Sequence, residues 1–408
     1  MIDNDVTIVG AGPVGLITAL GLAQQGVRVT VLDALTDILD EPRGMTYHWA
    51  ALAGLERLGV LADATAAGFL KDDWSAQVFR TGERLSMDIG LLRDDVRHPH
   101  SLILGQDTLG QVVLRHLSSQ PHAEVRWQHE VLGFEQDDSG VTVQIQTPAG
   151  EQQVRSRWLV GADGARSIVR RGLGLDFEGM TWGERFVATN CRGNYGDHFV
   201  SGYLIDAEYG AVVHQINTEG LWRHTYAESV DLPTEGIEGR MADYFAAVLP
   251  DQDFDHEVVL WRHYRMHQRS AEKYRVGRVV LAGDAAHVTN PTRGFGLVGG
   301  MFDAYTLTET LAAVVVDGAD DALLDEYSVA RKRVFWDYTT PISSDSKRLV
   351  FEPTEERIAG FRQVTADPDQ TRRYLLSGIA LATPSLLGRM DVWETVGADP
   401  GLAKALAS

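Results

Sequence analysis

The spacing of apolar and polar residues near the N-terminus predicts a strand, a helix and a second strand. Apolar runs at residues 5–10 and 27–33 have the length of buried strands, and the long apolar stretch between them, residues 12–25, has the length of a helix. This succession is a βαβ unit of the usual length of about 30 residues. It predicts an α/β domain in which the two strands lie parallel.

Alternation with a period of two predicts antiparallel strands in the middle of the chain. The alternation is loose over residues 70–92, returns as short strands between residues 125 and 159, and is clearest over residues 185–264. A hairpin turn is predicted at residues 218–220. One face of such a sheet can be polar and face a ligand, so the region is a candidate substrate domain.

Helical spacing predicts the remaining elements, at residues 50–58, 106–117, 306–316, 323–340 and in a proline-interrupted tail from residue 352. The predicted fold class is α/β, a Rossmann-like nucleotide-binding domain with an inserted antiparallel sheet and a helical C-terminus. The predicted domains are a discontinuous nucleotide-binding domain (residues 1–72, 98–180 and 270–345), a substrate-binding sheet domain (73–97 and 181–269) and a C-terminal helical segment (346–408).

The first turn of the βαβ unit carries the sequence GAGPVG. In this spacing Gly10 permits the turn, Gly12 lets a phosphate approach the backbone, and Gly15 lets helix and strand pack closely. Asp33 ends the second strand, where an acid binds a ribose. The glycine spacing alone is a weak signal, but its context makes a dinucleotide site the favoured interpretation.

A second glycine-rich stretch, residues 277–304, also has a strand that leads through a turn to a helix. Its parts are a buried strand, an acidic turn, a proline loop and a glycine-rich helix start, at residues 279–281, Gly283 and Asp284, Pro291, and Gly294 and Gly296. Backbone N–H groups at such a helix start attract an electron-rich ligand. Taken alone, the stretch is better explained as a capped turn beside a buried helix.

Further polar positions fit a nucleotide site without requiring one. Asp163 and Gly164 form another acidic turn after a strand, while Arg43 lies in a loop and Gln106 in the first turn of a helix. The alternatives are a tight turn before a basic helix, a solvated arginine and a surface glutamine. A shared cofactor becomes the favoured interpretation because the GxGxxG motif stands in the same chain.

Composition narrows the class of partners. The 408 residues carry a formal net charge of −20, which argues against nucleic acid and anionic membranes as partners. No apolar stretch approaches the roughly 20 residues of a membrane span. The single cysteine, Cys191, excludes an internal disulfide and a cysteine-based metal site, so we expect no metal and a cytoplasmic location.

Three motifs in this order, GAGPVG, GADGARSIVR (residues 161–170) and LAGDAAHVTNP (281–291), resemble the single-component FAD-dependent aromatic hydroxylases, the fold family of p-hydroxybenzoate hydroxylase. The resemblance extends from the N-terminus to about Thr340. It implies FAD and NAD(P)H as cofactors, and O2 together with a small aromatic molecule as substrates. It also implies that a flavin C4a-hydroperoxide hydroxylates an electron-rich ring.

The resemblance also assigns FAD-binding roles by position. They fall on Gly10, Gly12, Pro13, Val14, Gly15, Asp33, Arg43, Gln106, Asp163, Gly164, Gly283, Asp284, Pro291, Gly294, Gly296, Leu297 and Val298. The N–H groups at the helix start near Gly296 would stabilise the reduced flavin anion. Val298 and Phe295 stand where relatives often have Asn and Gln, which leaves the substrate side of the site more apolar.

The resemblance implies that the substrate ring meets the antiparallel sheet and Pro291. Candidates to accept a proton from the ring hydroxyl are Tyr203, His214, His224 and Tyr226, with His214 and Tyr203 chosen as catalytic residues together with Arg223 and Pro291. No arginine occupies Gln215 or Asn217, near which the p-hydroxybenzoate enzyme clamps its carboxylate. A neutral phenol or a hydroxylated N-heteroaromatic such as a pyridine is therefore the expected substrate.

Two alternatives stay open beside the monooxygenase. One is an FAD-dependent reductase or dehydrogenase on the same fold, which would place no oxygen atom in its product. The other is a non-catalytic flavin-binding protein, whose FAD would not be reduced by NAD(P)H. Partner expectations also include a homodimer.

Overall fold

The computed structural model describes residues 3–39, 44–251, 254–389 and 397. The helices are α1 (Pro13–Gln24), α2 (Trp49–Arg57), α3 (Leu61–Ala67), α4 (Gln106–Ser118), α5 (Ile168–Gly172), α6 (Ile237–Val248), α7 (Phe295–Ala312), α8 (Leu323–Val334), α9 (Thr340–Phe351), α10 (Glu355–Ala366) and α11 (Pro368–Leu376). The strands are β1 (Asn4–Val9), β2 (Val29–Leu32), β3 (Thr46–Tyr47), β4 (Phe69–Lys71), β5 (Asp73–Val78), β6 (Arg84–Asp88), β7 (Ser101–Ile103), β8 (Ala123–Arg126), β9 (Glu130–Asp137), β10 (Gly140–Thr147), β11 (Gly150–Gly161), β12 (Phe177–Gly193), β13 (Gly202–Ile205), β14 (Ala211–Gln215), β15 (Leu221–Ser229), β16 (His256–Ala271), β17 (Arg275–Val276), β18 (Val279–Leu281) and β19 (His287–Val288).

The first sheet has a parallel centre in the order β18-β11-β1-β2-β8. Val6 of β1 pairs with Val29 of β2 on one side and with Trp158 of β11 on the other. These strands are apolar on both faces because helices cover the sheet, and α1 packs against α4 and α7. The predicted βαβ unit and the strand at 279–281 are confirmed.

One prediction about this sheet is wrong in detail, and two predicted helical segments are parts of one helix. The strand predicted near residue 125 was assigned to an antiparallel run, but β8 pairs parallel with β2, because helix α4 returns the chain across the sheet before it. The helix predicted from residue 306 is the second half of α7, which begins at Phe295. Only β9, β10 and the first half of β11 form the antiparallel extension.

The second sheet has the order β19-β16-β12-β15-β14-β13-β5-β6. All of its pairs are antiparallel except β5 with β13, which run parallel because they come from separate parts of the chain. A third, small sheet has the order β3-β7-β4.

The alternation of side chains gives the second sheet two different faces. The far face, defined by Trp222, His224 and Tyr226, packs with its neighbours against α6 in a separate apolar core. The near face carries Trp74, Tyr203, His214 and Arg223, as the pairs Tyr203 with Val212 and His214 with Arg223 show.

Helices α8 to α11 form the C-terminal part, in which Pro353 precedes α10 and Pro368 is the first residue of α11. The α/β fold class with an inserted sheet and a helical C-terminus is confirmed. Within the described ranges, no helix combines the length and apolar character that crossing a membrane requires.

Candidate active site

Backbone contacts that only glycine allows bring the three motifs together. A Cβ atom on Gly10, whose φ is +104°, would lie 2.4 Å from the carbonyl oxygen of Ala162, just before Asp163. Val14 packs against Gly283 and Gly300, where added Cβ atoms would approach its Cγ2 to 2.9 and 2.6 Å. The residues predicted to bind FAD from three distant motifs therefore share one region.

Two helices begin in this region without a capping side chain. Gly12 is the N-cap of α1 and Gly294 the N-cap of α7, and among the described residues no side chain accepts a hydrogen bond from either first turn. A Cβ on Gly12 would meet nothing within 4 Å, so the space outside this turn is open. Free N–H groups beside open space fit the pyrophosphate of FAD at α1 and its electron-rich ring at α7.

The acidic residues of the motifs differ in how their carboxylates are used. Asp33 accepts hydrogen bonds from the N–H groups of Ala11 (2.7 Å) and Leu35 (2.9 Å), which joins the end of β2 to the glycine turn. Asp163 accepts from Ser167 Oγ and from the N–H of Ile168, both at 2.6 Å, and so stabilises the start of α5. Asp284 is exposed in the turn after β18.

Gln106 lies beside the start of α7. A Cβ on Gly44 would lie 3.1 Å from Leu297 Cδ2 and 3.5 Å from Gln106 Oε1, so these two predicted FAD contacts flank Gly44. Gly164 borders open space like Gly12, while Gly296 and Val298 lie in the first turn of α7. Arg43 lies outside the described residues, and its role stays a prediction.

A buried ionic network beneath the acidic turn was missed by the sequence analysis. Asp303 on α7 accepts hydrogen bonds from the N–H of Gly283 (2.9 Å), His287 Nε2 (2.7 Å) and Arg331 Nε (2.7 Å). Burial raises the pKa of Asp303, but the electrostatic attraction and hydrogen bonds of His287 and Arg331 outweigh it and hold the pKa at about 2. The network fixes the turn that holds Asp284. The sequence feature that could have predicted it is a lone acidic residue, Asp303, within the apolar segment GLVGGMFDAYTL.

Polar residues of the near face form a row across three strands. His214 pairs with Arg223, which pairs with Asn190, and Arg223 Nε donates to Asn190 Oδ1 at 3.0 Å. Burial, followed by the charges of Lys71 and Arg223, lowers the pKa of His214 to about 3. Burial also lowers the pKa of Arg223, to about 10, so at neutral pH the row holds a neutral imidazole beside cations.

The other candidate proton acceptors lie elsewhere. His224 and Tyr226 point to the far face, where His224 Nε2 is 2.8 Å from the hydroxyl of Tyr244 on α6. Tyr203 lies on the near face, but its hydroxyl donates to the carbonyl of Thr292 at 3.0 Å, and burial raises its pKa to about 12. Among these four candidates, the structure therefore places only His214 in the row with Arg223.

The loop of Pro291 is anchored to the sheet on both sides. Tyr203 holds Thr292, and Gln268 Oε1 on β16 accepts from Thr289 Oγ1 (3.0 Å) and from the backbone N–H of Asn290 (3.2 Å). Pro291 thus stands between the near face and the start of α7. The expectation that a substrate ring meets the flavin at Pro291 stays a prediction.

The carboxylate clamp of the p-hydroxybenzoate enzyme has no counterpart at the hairpin. Gln215 Nε2 donates to the carbonyl of Asn217 at 3.0 Å, and Asn217 Oδ1 accepts from the N–H groups of Glu219 and Leu221. Both amides therefore stabilise their own turn.

Comparison with known proteins agrees with this arrangement. Residues 3–341 match the model of a family described as an FAD binding domain. The chain is 42% identical over 376 residues to the 6-hydroxy-3-succinoylpyridine 3-monooxygenase HspB of Pseudomonas putida (strain DSM 28022 / S16), covering 90% of this chain and 95% of that protein. It is 40% identical over 382 residues to the para-nitrophenol 4-monooxygenase of Pseudomonas sp. (strain WBC-3), covering 91% and 94%.

A solved structure extends the likeness to the fold. The p-nitrophenol 4-monooxygenase PnpA from Pseudomonas putida DLL-E4 superposes with a TM-score of 0.90 at 38% identity, covering 93% of this chain and 98% of that one. Fold and site together define an FAD-dependent flavoprotein. The chain belongs to the family of single-component FAD-dependent aromatic hydroxylases, and its activity is that of a monooxygenase.

Proposed function

We propose that the protein hydroxylates a phenol or a hydroxypyridine whose ring oxygen binds at His214 and Arg223, with NAD(P)H as reductant and O2 as co-substrate. The observation that carries the proposal is the row of His214, Arg223 and Asn190 on the sheet face that meets the loop of Pro291. We further infer that it works in the cytoplasm, which its single buried cysteine supports.

The residues of the site have distinct tasks in this proposal. Gly10, Gly12 and Gly15, with Asp33, Asp284 and the first turn of α7, would hold FAD, which supplies the chemistry of oxygen activation when bound and reduced. Arg223 and Lys71 favour the ionised form of a ring hydroxyl, because nearby cations lower the pKa of a phenol. His214, which stays neutral, donates a hydrogen bond from Nδ1 to the ionised ring oxygen, since this atom has no partner among the described residues.

The names of the two relatives sharpen the substrate class. A hydroxyl group stands opposite a succinoyl group in 6-hydroxy-3-succinoylpyridine and opposite a nitro group in para-nitrophenol. In each name the oxidised position is the carbon that bears this group. We propose that this chain also takes a ring with a carbonyl or nitro group para to the hydroxyl, and adds oxygen at that carbon.

The reaction balances for 4-nitrophenol as a probe. One molecule each of 4-nitrophenol, O2 and NAD(P)H with a proton gives benzoquinone, nitrous acid, water and NAD(P)+. The new carbon–oxygen bond replaces the carbon–nitrogen bond, and the nitro group leaves as nitrite with the bonding electrons. NAD(P)H supplies the two electrons that reduce the second oxygen atom to water.

The test begins with the visible spectrum of the purified protein and continues with NAD(P)H oxidation in the presence of 4-nitrophenol, a 6-hydroxy-3-acylpyridine and phenol. We expect flavin bands and accelerated oxidation, with one atom of labelled O2 in the product and nitrite release from 4-nitrophenol. Oxidation with no label in any product would support a reductase instead. A flavin that NAD(P)H does not reduce, with or without a ring, would support a binding protein.

The cofactor site has a matched pair of variants. Gly12→Asp places a carboxylate at the open start of α1, whereas Gly239→Asp places one on α6, and an added Cβ meets nothing within 4 Å at either position. We expect Gly12→Asp to weaken FAD binding at least about 100-fold through repulsion of the pyrophosphate, and Gly239→Asp to keep FAD. Equal FAD affinity in both variants, measured by titration of apoprotein, would contradict this placement.

A further inference from the structure

Arg293, in the loop between Pro291 and the start of α7, has a role that neither the motifs nor the relatives assign. Its guanidinium carbon lies 4.2 Å from the ring centre of Trp74, 5.3 Å from that of Tyr374 and 5.6 Å from that of Phe295. Its Nε and Nη1 atoms are buried, and among the described residues neither has a hydrogen-bond partner. The described ion pairs include no carboxylate on this arginine.

This arrangement leaves a cation with unmet hydrogen-bonding capacity. Aromatic rings that stack on the two faces of a guanidinium stabilise its positive charge. They accept no hydrogen bonds from the guanidinium N–H groups, which point outwards in the plane of the group. An arginine stays protonated in proteins, so the charge cannot be removed by titration. Each buried donor without an acceptor is unfavourable, and an acceptor that reaches the plane would remove that cost.

The surroundings show where the acceptor would come from. Arg293 lines a small cavity of about 40 Å³ with Thr46, His48, Ser101 and the first turn of α7. Thr46 Oγ1 is a second buried polar atom without a partner among the described residues. Among the described residues that line this cavity none is acidic, so no carboxylate of the lining supplies the missing acceptor.

The cavity and the near-face row are connected through two aromatic residues. The ring of Trp74, which stacks on Arg293, is 4.7 Å from the ring of Tyr203, and Tyr203 is paired with Val212, two residues before His214. Arg293 thus contacts a near-face side chain, on the side of the sheet where a ring bound at His214 and Arg223 would lie.

We propose that Arg293 forms a subsite for an oxygen-rich acceptor group of the substrate, a nitro or carboxylate oxygen that stands across the ring from the hydroxyl. The inference rests on the proposed function, because that function places the hydroxyl at the opposite end. The sequence predicts a substrate without an anionic substituent, because the carboxylate clamp is absent from the hairpin. The subsite at Arg293 would admit such a substituent, because a cation is present in the loop.

The test measures binding of matched ligands to oxidised holoenzyme by the flavin difference spectrum. One pair is 4-nitrophenol and 4-isopropylphenol, and the other is 3-(4-hydroxyphenyl)propionate and 4-butylphenol, so that the nitro and carboxylate sources are distinguished. We expect the wild type to bind at least one acceptor ligand about tenfold or more tightly than its alkyl partner, the range of one charge-assisted hydrogen bond.

Three variants decide whether Arg293 causes the preference. In Arg293→Met we expect the preference to fall to within about threefold, with alkylphenol binding little changed, because only a hydrogen-bonding cation is lost. Arg293→Lys, which keeps the charge but lacks the planar donors, should retain part of it. Arg333→Met removes an exposed cation, with 80% of its side chain accessible, and should retain all of it.

Each outcome bears on one claim. The subsite is overturned if the wild type shows no preference, or if the preference survives in Arg293→Met. If Arg293→Met does not bind FAD, the comparison of ligands in the wild type decides whether the subsite exists. 4-Nitrophenol is also a stronger acid than 4-isopropylphenol, but that difference would act at Arg223 in the wild type and in Arg293→Met alike. A preference that is lost in the variant is therefore due to Arg293. Hydroxylation of all four phenols without preference would leave the proposed hydroxylation standing but remove both the subsite and the proposed para substituent. A preference lost in Arg293→Met, with no oxygen in any product, would keep the subsite and remove the function.

Discussion

His214 and His224 lie on neighbouring strands of one sheet, and burial lowers the pKa of each to about 3. Their neighbours are different. The charges of Lys71 and Arg223 act on His214, whereas His224 is enclosed by Phe245 and by Tyr244, whose hydroxyl it contacts at 2.8 Å. A strongly lowered pKa therefore reports burial on both faces, and the neighbouring groups decide which histidine has a place in the chemistry.

The same contrast holds for the whole of the two faces. The far face is closed by α6, and the ring of Tyr226 stacks on that of Tyr244 at 4.1 Å between centres. The near face meets the loop of Pro291 and the cavity of Arg293. One face provides a core, and the other provides charges and donors that a bound ring can use.

The largest difference between the two faces is expected in kcat/KM, when Arg223→Met on the near face is compared with Tyr226→Phe on the far face. Loss of the Arg223 charge should lower kcat/KM about 100- to 1,000-fold, the range of a preorganised group that stabilises a developing anion. Tyr226→Phe removes a far-face hydroxyl that has no hydrogen-bond partner among the described residues and should leave kcat/KM within about twofold. Steady-state rates with the best ring of the panel measure both, and equal losses would break the comparison.

A smaller difference is expected between His214→Phe and His224→Phe. His214→Phe should lower kcat/KM about tenfold, which corresponds to one hydrogen bond to the ring hydroxyl. His224→Phe should keep the activity but lower the free energy of unfolding by about 1 kcal/mol, because the bond to Tyr244 is lost. Rates and denaturant unfolding of both variants are needed, and a catalytic loss confined to His224→Phe would reverse the assignment.

The smallest difference between the two faces is expected in the pH dependence of stability, because both histidines contribute to it alike. Because the native pKa of each histidine is about 3, the unfolded chain binds protons first as the pH falls below about 6.5, and stability decreases down to about pH 3. Each histidine contributes a slope of about 1.4 kcal/mol per pH unit over this window. Replacing either one by Phe should reduce the slope of unfolding free energy against pH equally, and unequal reductions would show that burial differs.

Much of this arrangement was predictable from local patterns. The βαβ unit follows from hydrophobic runs and GAGPVG, and the convergence of the three motifs follows from glycines that make close contacts. The class of reaction came from the order of the motifs. The βαβ unit and the motifs themselves are predictable because each depends on residues that are adjacent in sequence, whereas the contacts that join the motifs are seen only in the structure.

The features that were missed depend on contacts between distant segments. Asp303, His287 and Arg331 come from three elements, and Lys71 acts on His214, a residue of a strand that is far away in the chain. Arg293 lies in a loop, where an arginine is normally solvated, and its aromatic neighbours come from residues 74, 295 and 374. The face of each strand residue likewise required the register, since a shift of one residue exchanges His214 with its neighbours.

The measurement that tests the central claim most directly is the absorbance of 4-nitrophenol bound to oxidised holoenzyme across a pH series. The coloured phenolate reports ionisation of the hydroxyl, and the cations of the near face should lower the pKa of the bound phenol below that of the free one. Arg223→Met should reverse this shift, and Tyr226→Phe should leave it unchanged. A ligand that binds as the neutral phenol, or that does not bind, would contradict the assignment of the near face as the site of the ring oxygen.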